Sequence, residues 1–249
     1  MNKPGSNSTE TAAETPKNTS SEHVSDDVAN AAGYELSEDQ ALALLKRSDV
    51  NASTLALLGR NPSVMKSRKV LLALATHPRT PRHITIPMLR RLFNFDLMQV
   101  ALTPTVAADV KRTAEEQILN RLESLSSGER ISLARRASGR VAAALLLDTE
   151  VRVISTALDN SHLVEASVVT VLMKHDAPES LFALVSRHPK WSLRREVQIA
   201  LLRSEKTPLE RAKVLARNFS DEFLREIVPE SRREVLFQTT DPSTKGASE

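Results

Sequence analysis

Short apolar segments that stop at a proline recur along this chain, and they limit its fold more than any other feature. One short phrase occurs three times, at 57–62, 74–78 and 184–189. It consists of a pair of apolar residues, then two or three small or polar residues, and then Pro62, Pro78 or Pro189. Proline has no backbone N–H and disfavours helical backbone at the residue before it, so a helix ends there. We predict that these prolines lie just beyond helix C-termini and that the chain forms about a dozen short helices.

Helix starts are marked by an N-cap oxygen followed three residues later by Glu or Gln, a pairing that satisfies two orphan backbone N–H groups. Apolar residues spaced three and four apart follow these boxes, as in amphipathic helices. Pro208 is predicted at a first helical position. The β-branched segments 83–86 and 168–171 are predicted to be helix or loop. The four boxes are Ser37–Gln40, Ser126–Glu129, Asp176–Glu179 and Thr207–Glu210.

The composition disfavours β architectures and excludes several chemistries. Aromatic residues make up 3% of the chain, and it has six glycines and no cysteine. Sandwiches and barrels use aromatic and β-branched strands with many glycine turns. Without cysteine the chain has no disulfide, thiolate zinc site, iron–sulfur cluster or cysteine nucleophile. We therefore predict an all-α fold.

Two stretches resemble the leucine-rich repeat variant and HEAT-like families of α-solenoids. Residues 74–81 read Leu-Ala-x-x-Pro-x-x-Pro, and residues 147–152 place acidic residues before a Val-Arg helix start that leads to 157–160. The spacing of the prolines is irregular, which departs from the family pattern. The resemblance implies a right-handed α-solenoid of short stacked helices whose concave face binds a partner. The family has no common activity.

Composition divides the chain into three parts. Residues 1–33 are predicted to be a disordered acidic N-terminal arm and residues 239–249 a disordered C-terminal tail. Residues 34–238 are predicted to be one HEAT-like helical-repeat domain, with no linker long enough to divide it. The formal charge of residues 1–36 is −4 and that of the whole chain is +3, so the rest of the chain carries +7.

The longest purely apolar run, 141–147, is far too short to span a membrane, so no membrane partner is expected and the predicted location is cytoplasmic.

No pattern of catalytic chemistry is present in the sequence. It has no glycine-rich phosphate loop, no His-Glu-x-x-His and no Gly-x-Ser-x-Gly. His77 and His188 stand at equivalent places in two copies of the proline phrase, so a helix-terminal role is favoured over metal binding. We predict no enzyme activity, no catalytic residue, no cofactor and no metal site.

Clusters of arginine are the main functional signal. We predict a non-enzymatic scaffold that binds a protein partner on a concave face; the alternative is binding of nucleic acid or another polyanion by the basic body. Two opposing interpretations remain open: Trp191 closes a corner between helices, and the arginines are ion-paired with carboxylates of their own surface. The sequence indicates no oligomeric state. The predicted partner-binding residues are Arg135, Arg136, Arg187, Trp191, Arg194 and Arg195.

Overall fold

Helices account for all regular secondary structure in residues 36–237, the part of the chain that the computed structural model describes. This range contains fifteen α-helices, two short 3₁₀ helices and no strand. The predicted all-α class is therefore confirmed for these residues. The segments 83–86 and 168–171 are helical. The predicted arm, 1–33, and tail, 239–249, lie outside the described residues.

The α-helices are seven to twelve residues long and are numbered here in chain order. The first eight are α1 (Glu38–Leu45), α2 (Ala52–Leu58), α3 (Arg68–Thr76), α4 (Arg82–Leu89), α5 (Asn94–Leu102), α6 (Ala108–Leu119), α7 (Ser127–Arg136) and α8 (Gly139–Leu145). They are followed by α9 (Val151–Leu158), α10 (Glu165–Leu172), α11 (Glu179–Val185), α12 (Arg195–Arg203), α13 (Leu209–Ala216), α14 (Asp221–Ile227) and α15 (Glu230–Phe237). The 3₁₀ helices are Val64–Lys66 and Leu122–Ser124.

The described residues group into two compact units, although the sequence predicted one domain over 34–238. The first unit runs to Leu74 and includes Arg79–Pro81, and the second comprises Ala75–Pro78 and the residues from Arg82 onward. In the first unit, Lys69 Nζ lies 3.1 Å from a Glu38 carboxylate oxygen. Its buried core includes residues of α1, α2 and α3, among them Ala41, Leu55, Leu58 and Val70.

Helices in the second unit contact neighbours two places along the chain. The even-numbered helices touch in series, α4 with α6, α6 with α8, α8 with α10, α10 with α12, and α12 with α14. Among the odd-numbered helices, α7 contacts α9, α9 contacts α11, and α13 contacts α15. The even helices begin 26, 31, 26, 30 and 26 residues apart. The predicted short helices are therefore present, and the spacing between the starts of successive even helices varies by five residues.

Small apolar residues allow these helices to pack closely. Ala114, Ala134, Ala142 and Ala157 are fully buried on α6, α7, α8 and α9. Such short helices are marginal in isolation, so their stability comes from burying these faces against neighbours.

The three prolines of the repeated phrase lie where the sequence predicted. Pro62 follows α2, Pro78 follows α3 and Pro189 follows α11, and none lies inside a helix. A proline is tolerated within α4, where Pro87 lies in the last turn.

Two of the four predicted capping boxes are confirmed and two are wrong. Ser37 and Ser126 form complete boxes at the starts of α1 and α7. At α11 and α13 the N-cap residues are Pro178 and Pro208, and neither helix has a side-chain cap. In each of these two helices the N-cap is a proline, at a position that the predicted box had assigned to the first turn of the helix. The Thr207 hydroxyl is buried and donates instead to the Leu201 carbonyl at 2.6 Å.

Candidate protein-interaction surface

The loops that lead from odd to even helices form one connected edge of the second unit. We call them corners A (α7 to α8), B (α9 to α10), C (α11 to α12) and D (α13 to α14). Asn160 in corner B donates to the Ala134 carbonyl at 2.7 Å and to the Ala137 carbonyl at 3.1 Å, both at corner A. Trp191 in corner C donates to the Leu158 carbonyl at 2.8 Å. These bonds place corners A, B and C in sequence along the edge.

All five predicted arginines lie on this corner edge and are exposed. Arg135 and Arg136 end α7 at corner A, and Arg187, Arg194 and Arg195 belong to corner C. The two groups are thus on the same edge with corner B between them. These arginines lie at helix ends and in the loops between helices, and they are not spread along the length of the helices.

Trp191 is the predicted contact residue that the structure corrects. Its side chain is only 1% exposed, and its indole Nε1 already donates to the Leu158 carbonyl. The Lys190 ammonium lies 4.0 Å from the ring centroid, within the range of a cation–π interaction. A ring enclosed in this way has no face to offer a partner. Its position matches the other interpretation, a tryptophan that closes the corner between two helices.

The arginines differ in how far their own surface engages them. Arg194 Nη1 lies 4.0 Å from Glu165, and its side chain is 54% exposed, so this ion pair is weak. The Arg195 guanidinium lies 5.2 Å from the Phe219 ring centroid at corner D. Arg136 lies 5.9 Å from the Phe95 ring. Among these five arginines, Arg194 is the one for which the described structure places a carboxylate, that of Glu165, within ion-pair distance.

Hydrogen bonds hold the corner C loop, residues 186–194, in one conformation. The Ser192 amide donates to the His188 carbonyl at 3.0 Å, and the Arg194 amide donates to the Trp191 carbonyl at 3.1 Å. The Lys190 amide donates to His188 Nδ1 at 3.2 Å. Because an amide N–H only donates, Nδ1 is the acceptor, and Nε2 carries the proton directed at Asp159, 3.1 Å away. His188 therefore joins corner C to corner B.

The exposed residues of this loop include an apolar side chain and several cations. Leu193 is 77% exposed, the largest fraction among the exposed large apolar residues of the described chain. Arg187, Lys190 and Arg194 are exposed around it in the sequence. We call these four residues the 187–194 surface. Leu193 is absent from the predicted partner-binding residues, although a leucine between Ser192 and Arg194 that precedes a helix is the available signal.

Part of the basic excess of the chain is used to join helices internally. Arg121 donates to the Leu92 carbonyl at 2.8 Å, and Lys206 donates to the Ala177 carbonyl at 2.6 Å. Arg211 donates to the Ser186 carbonyl, and Arg232 donates to the Thr207 carbonyl at 2.6 Å. The Ser186 carbonyl belongs to the C-cap of α11, and the other three acceptors are loop carbonyls directly before the N-cap residues of α5, α11 and α13. We call the four cations the carbonyl clamps. Burial lowers the pKa of Arg232 from its ordinary value, which nearby Glu205 partly opposes.

A cluster of charges at the start of α7 is also internal in character. Arg130 Nε lies 3.3 Å from an Asp148 carboxylate oxygen whose side chain is 5% exposed, and Arg130 also bonds to Glu150. Ser127 Oγ donates to Glu150 at 2.5 Å. This hydrogen bond, with the nearby positive charge of Arg130, holds the pKa of Glu150 below its usual range. The described residues contain no group of three or more acidic or histidine side chains arranged to hold a metal ion.

No protein-family model, curated protein or solved structure matches this chain. The resemblance to leucine-rich repeat variant and HEAT-like solenoids therefore stays a prediction. Within residues 36–237, every helix is too short or too polar to cross a membrane.

Proposed function

We propose that this chain is a non-enzymatic helical-repeat protein that binds a protein partner through the 187–194 surface. The observation that carries the proposal is Leu193, which is 77% exposed in a loop held by a buried tryptophan and by hydrogen bonds. The second unit is proposed to be a right-handed α-solenoid. The contacts between helices two places apart, and even helices that begin 26 to 31 residues apart, support this arrangement.

A fixed loop lowers the cost of binding. Association orders side chains and loops, and a loop that is already held in one conformation avoids much of that entropy loss. Trp191 therefore contributes as a positioning residue, because its indole N–H attaches the loop to the end of α9.

The chemistry of the surface indicates an acidic partner with an apolar anchor. Arg187 and Arg194 offer planar groups that bind carboxylates with two parallel hydrogen bonds. Leu193 offers exposed apolar area to desolvate. A protein segment supplies both an apolar pocket and carboxylates, whereas a phosphate backbone supplies charge alone. The carbonyl clamps account for part of the basic excess that favoured a polyanion.

The test uses the purified full chain, immobilised, and a nuclease-treated extract; captured proteins are then purified and titrated against wild-type chain. Arg194→Glu is expected to weaken this purified interaction at least tenfold and to leave thermal unfolding nearly unchanged, since Arg194 is 54% exposed. The matched control is Arg203→Glu, the same charge reversal at an exposed position at the other end of α12. It is expected to leave affinity unchanged.

Two outcomes contradict the proposal. Equal weakening by both variants shows that binding follows net charge and not the 187–194 surface. No captured protein, together with binding of a labelled nucleic acid whose affinity falls steeply as salt rises, supports polyanion binding instead.

A further inference from the structure

The corner edge of the second unit carries charge whose sign alternates from one corner to the next. In the sequence, 159–165 at corner B contains two carboxylates and no Lys or Arg, whereas 187–196 at corner C contains four cations and one carboxylate. Corner A, 135–140, contains three cations and no carboxylate, and corner D, 217–222, contains one cation and two carboxylates. The order along the edge is therefore positive, negative, positive, negative.

Hydrogen bonds place corner B directly between corners A and C. Asn160 of corner B donates to the Ala134 carbonyl, and Trp191 of corner C donates to the Leu158 carbonyl. Packed helices lie about 8–10 Å apart, so neighbouring corners are about 10 Å apart as well. An extended chain advances about 3.3 Å per residue, so about three residues of a bound segment span the distance from one corner to the next.

The two carboxylates of corner B are only lightly engaged by their own surface. The Asp159 side chain is 73% exposed and accepts a hydrogen bond from the His188 ring at 3.1 Å. Glu165 lies 4.0 Å from Arg194, in a weak pair whose arginine is 54% exposed. Exposed pairs of this kind contribute little energy. Corner B therefore presents negative charge to a partner.

Corner A remains positive after its internal ion pairs are taken into account. Arg140 lies 3.5 Å from both Glu115 and Glu116 of α6, so its charge is offset within the unit. Arg135 and Arg136 are exposed at the end of α7, and the described structure gives neither of them a carboxylate within ion-pair distance. These two arginines therefore provide the positive charge of corner A.

A uniform polyanion does not match this edge. Its phosphates are attracted at corners A and C but repelled at corner B, and like charges placed opposite each other at an interface oppose binding. A protein segment can carry both signs of charge. It can place carboxylates opposite the arginines, which bind them with parallel hydrogen bonds, and a Lys or Arg opposite corner B.

We propose that the corner edge selects an extended protein segment of alternating charge, with carboxylates facing corners A and C and a cation facing corner B. This proposal rests on the proposed function, because it extends the 187–194 surface along the same edge. Corner B is then the repulsive element that rejects nucleic acid, and it also sets the position of the bound segment.

The test neutralises corner B and leaves its shape in place. The corner B variant combines Asp159→Asn, which keeps an oxygen to accept from His188, with Glu165→Gln. The matched control combines Asp176→Asn and Glu179→Gln. In each variant one residue lies in a loop and the other is the first residue of the next helix, but the control loop leads from α10 to α11 and is not a corner. Both variants change the net charge equally.

Two labelled probes are titrated against the full chain at low ionic strength, where exposed charges are least screened. The first is a fluorescein-labelled peptide of about nine residues, with glutamate, lysine and glutamate pairs about three residues apart and a final leucine. The second is a single-stranded oligothymidine. The corner B variant is expected to bind the peptide at least fivefold more weakly and the oligothymidine at least fivefold more tightly. Misfolding does not produce changes of opposite sign.

The control variant is expected to keep both affinities within twofold of the wild-type values. Two further peptides test the alternation itself against the wild-type chain. One exchanges every glutamate and lysine, and the other has the original composition with its four glutamates placed together. Each is expected to bind at least fivefold more weakly than the first peptide.

Four results overturn the proposal: no saturable binding of the first peptide, equal binding of the rearranged peptide, equal changes in the control variant, or an unchanged affinity of the corner B variant for either probe. The purified protein partner separates this proposal from the proposed function. If Leu193→Ser weakens partner binding and the corner B variant does not, the alternating-charge proposal fails and the proposed function stands. If Leu193→Ser has no effect, the proposed function itself fails.

Discussion

Gly139 gives the sharpest prediction about stability, because an alanine there has no room. An ideal Cβ at Gly139 lies 2.3 Å from the His162 carbonyl oxygen and 3.2 Å from its carbon. These are backbone atoms of corner B, and the His162 amide is itself bonded to Asn160 Oδ1 at 2.7 Å. A normal contact needs about 1 Å more space, so the whole corner must shift. Overpacking of this kind costs about 1–3 kcal/mol. Replacing a helical glycine returns about 0.5–1 kcal/mol, so we expect a net loss of up to about 2.5 kcal/mol.

Gly128→Ala is the matched control. Gly128 lies in the first turn of α7, and an added Cβ there meets nothing within 4 Å. This variant is expected to gain about 0.5–1 kcal/mol. Urea unfolding followed by far-UV circular dichroism measures both free energies. A Gly139→Ala protein as stable as Gly128→Ala would refute the close approach of α8 to corner B.

Three further predictions follow from the described contacts. Trp191→Phe leaves the Leu158 carbonyl without its donor and is expected to cost about 1–3 kcal/mol in urea unfolding; no loss contradicts the anchoring role. Lys206→Met keeps the aliphatic stem of one carbonyl clamp but removes its hydrogen-bond donors, and is expected to lower the unfolding free energy by about 1 kcal/mol. An unchanged unfolding free energy shows that these hydrogen bonds do not stabilise the fold. Ser127→Ala removes the main cause of the lowered pKa of Glu150, so that pKa is expected to rise toward its usual value in a carboxyl NMR titration. A carboxylate with a lowered pKa stabilises the fold above its unfolded pKa and loses that contribution as pH falls through the folded pKa. In Ser127→Ala the contribution of Glu150 is therefore expected to be smaller and its loss on acidification to be complete at a higher pH; an unchanged titration contradicts this cause.

Local signals in the sequence predicted helix ends better than helix starts. A proline after a helix has one consequence, and Pro62, Pro78 and Pro189 all lie beyond C-termini. A proline before a helix is compatible with two different helix starts, because it fits either the first helical position or the N-cap. Pro178 and Pro208 occupy the N-cap, and the predicted boxes at these helices are therefore wrong.

Local sequence patterns did not predict the contacts between helices. The arginines of corners A and C were found because they cluster along the sequence. The burial of Trp191 depends on a carbonyl 33 residues earlier, and the clamp of Lys206 on one 29 residues earlier. Nothing in the residues adjacent to Trp191 distinguishes a buried anchor from an exposed contact. The exposure of Leu193 depends on the same anchor, so it could not be predicted from the local sequence either.

The affinity of the purified protein partner for Leu193→Ser tests the central claim most directly. Leu193 is 77% exposed, so this substitution removes apolar contact area without disturbing the core or the net charge. Isothermal titration is expected to give a dissociation constant at least tenfold higher than that of the wild-type chain, with unchanged thermal unfolding. A dissociation constant equal to that of the wild-type chain would contradict the assignment of the 187–194 surface as the site of partner binding.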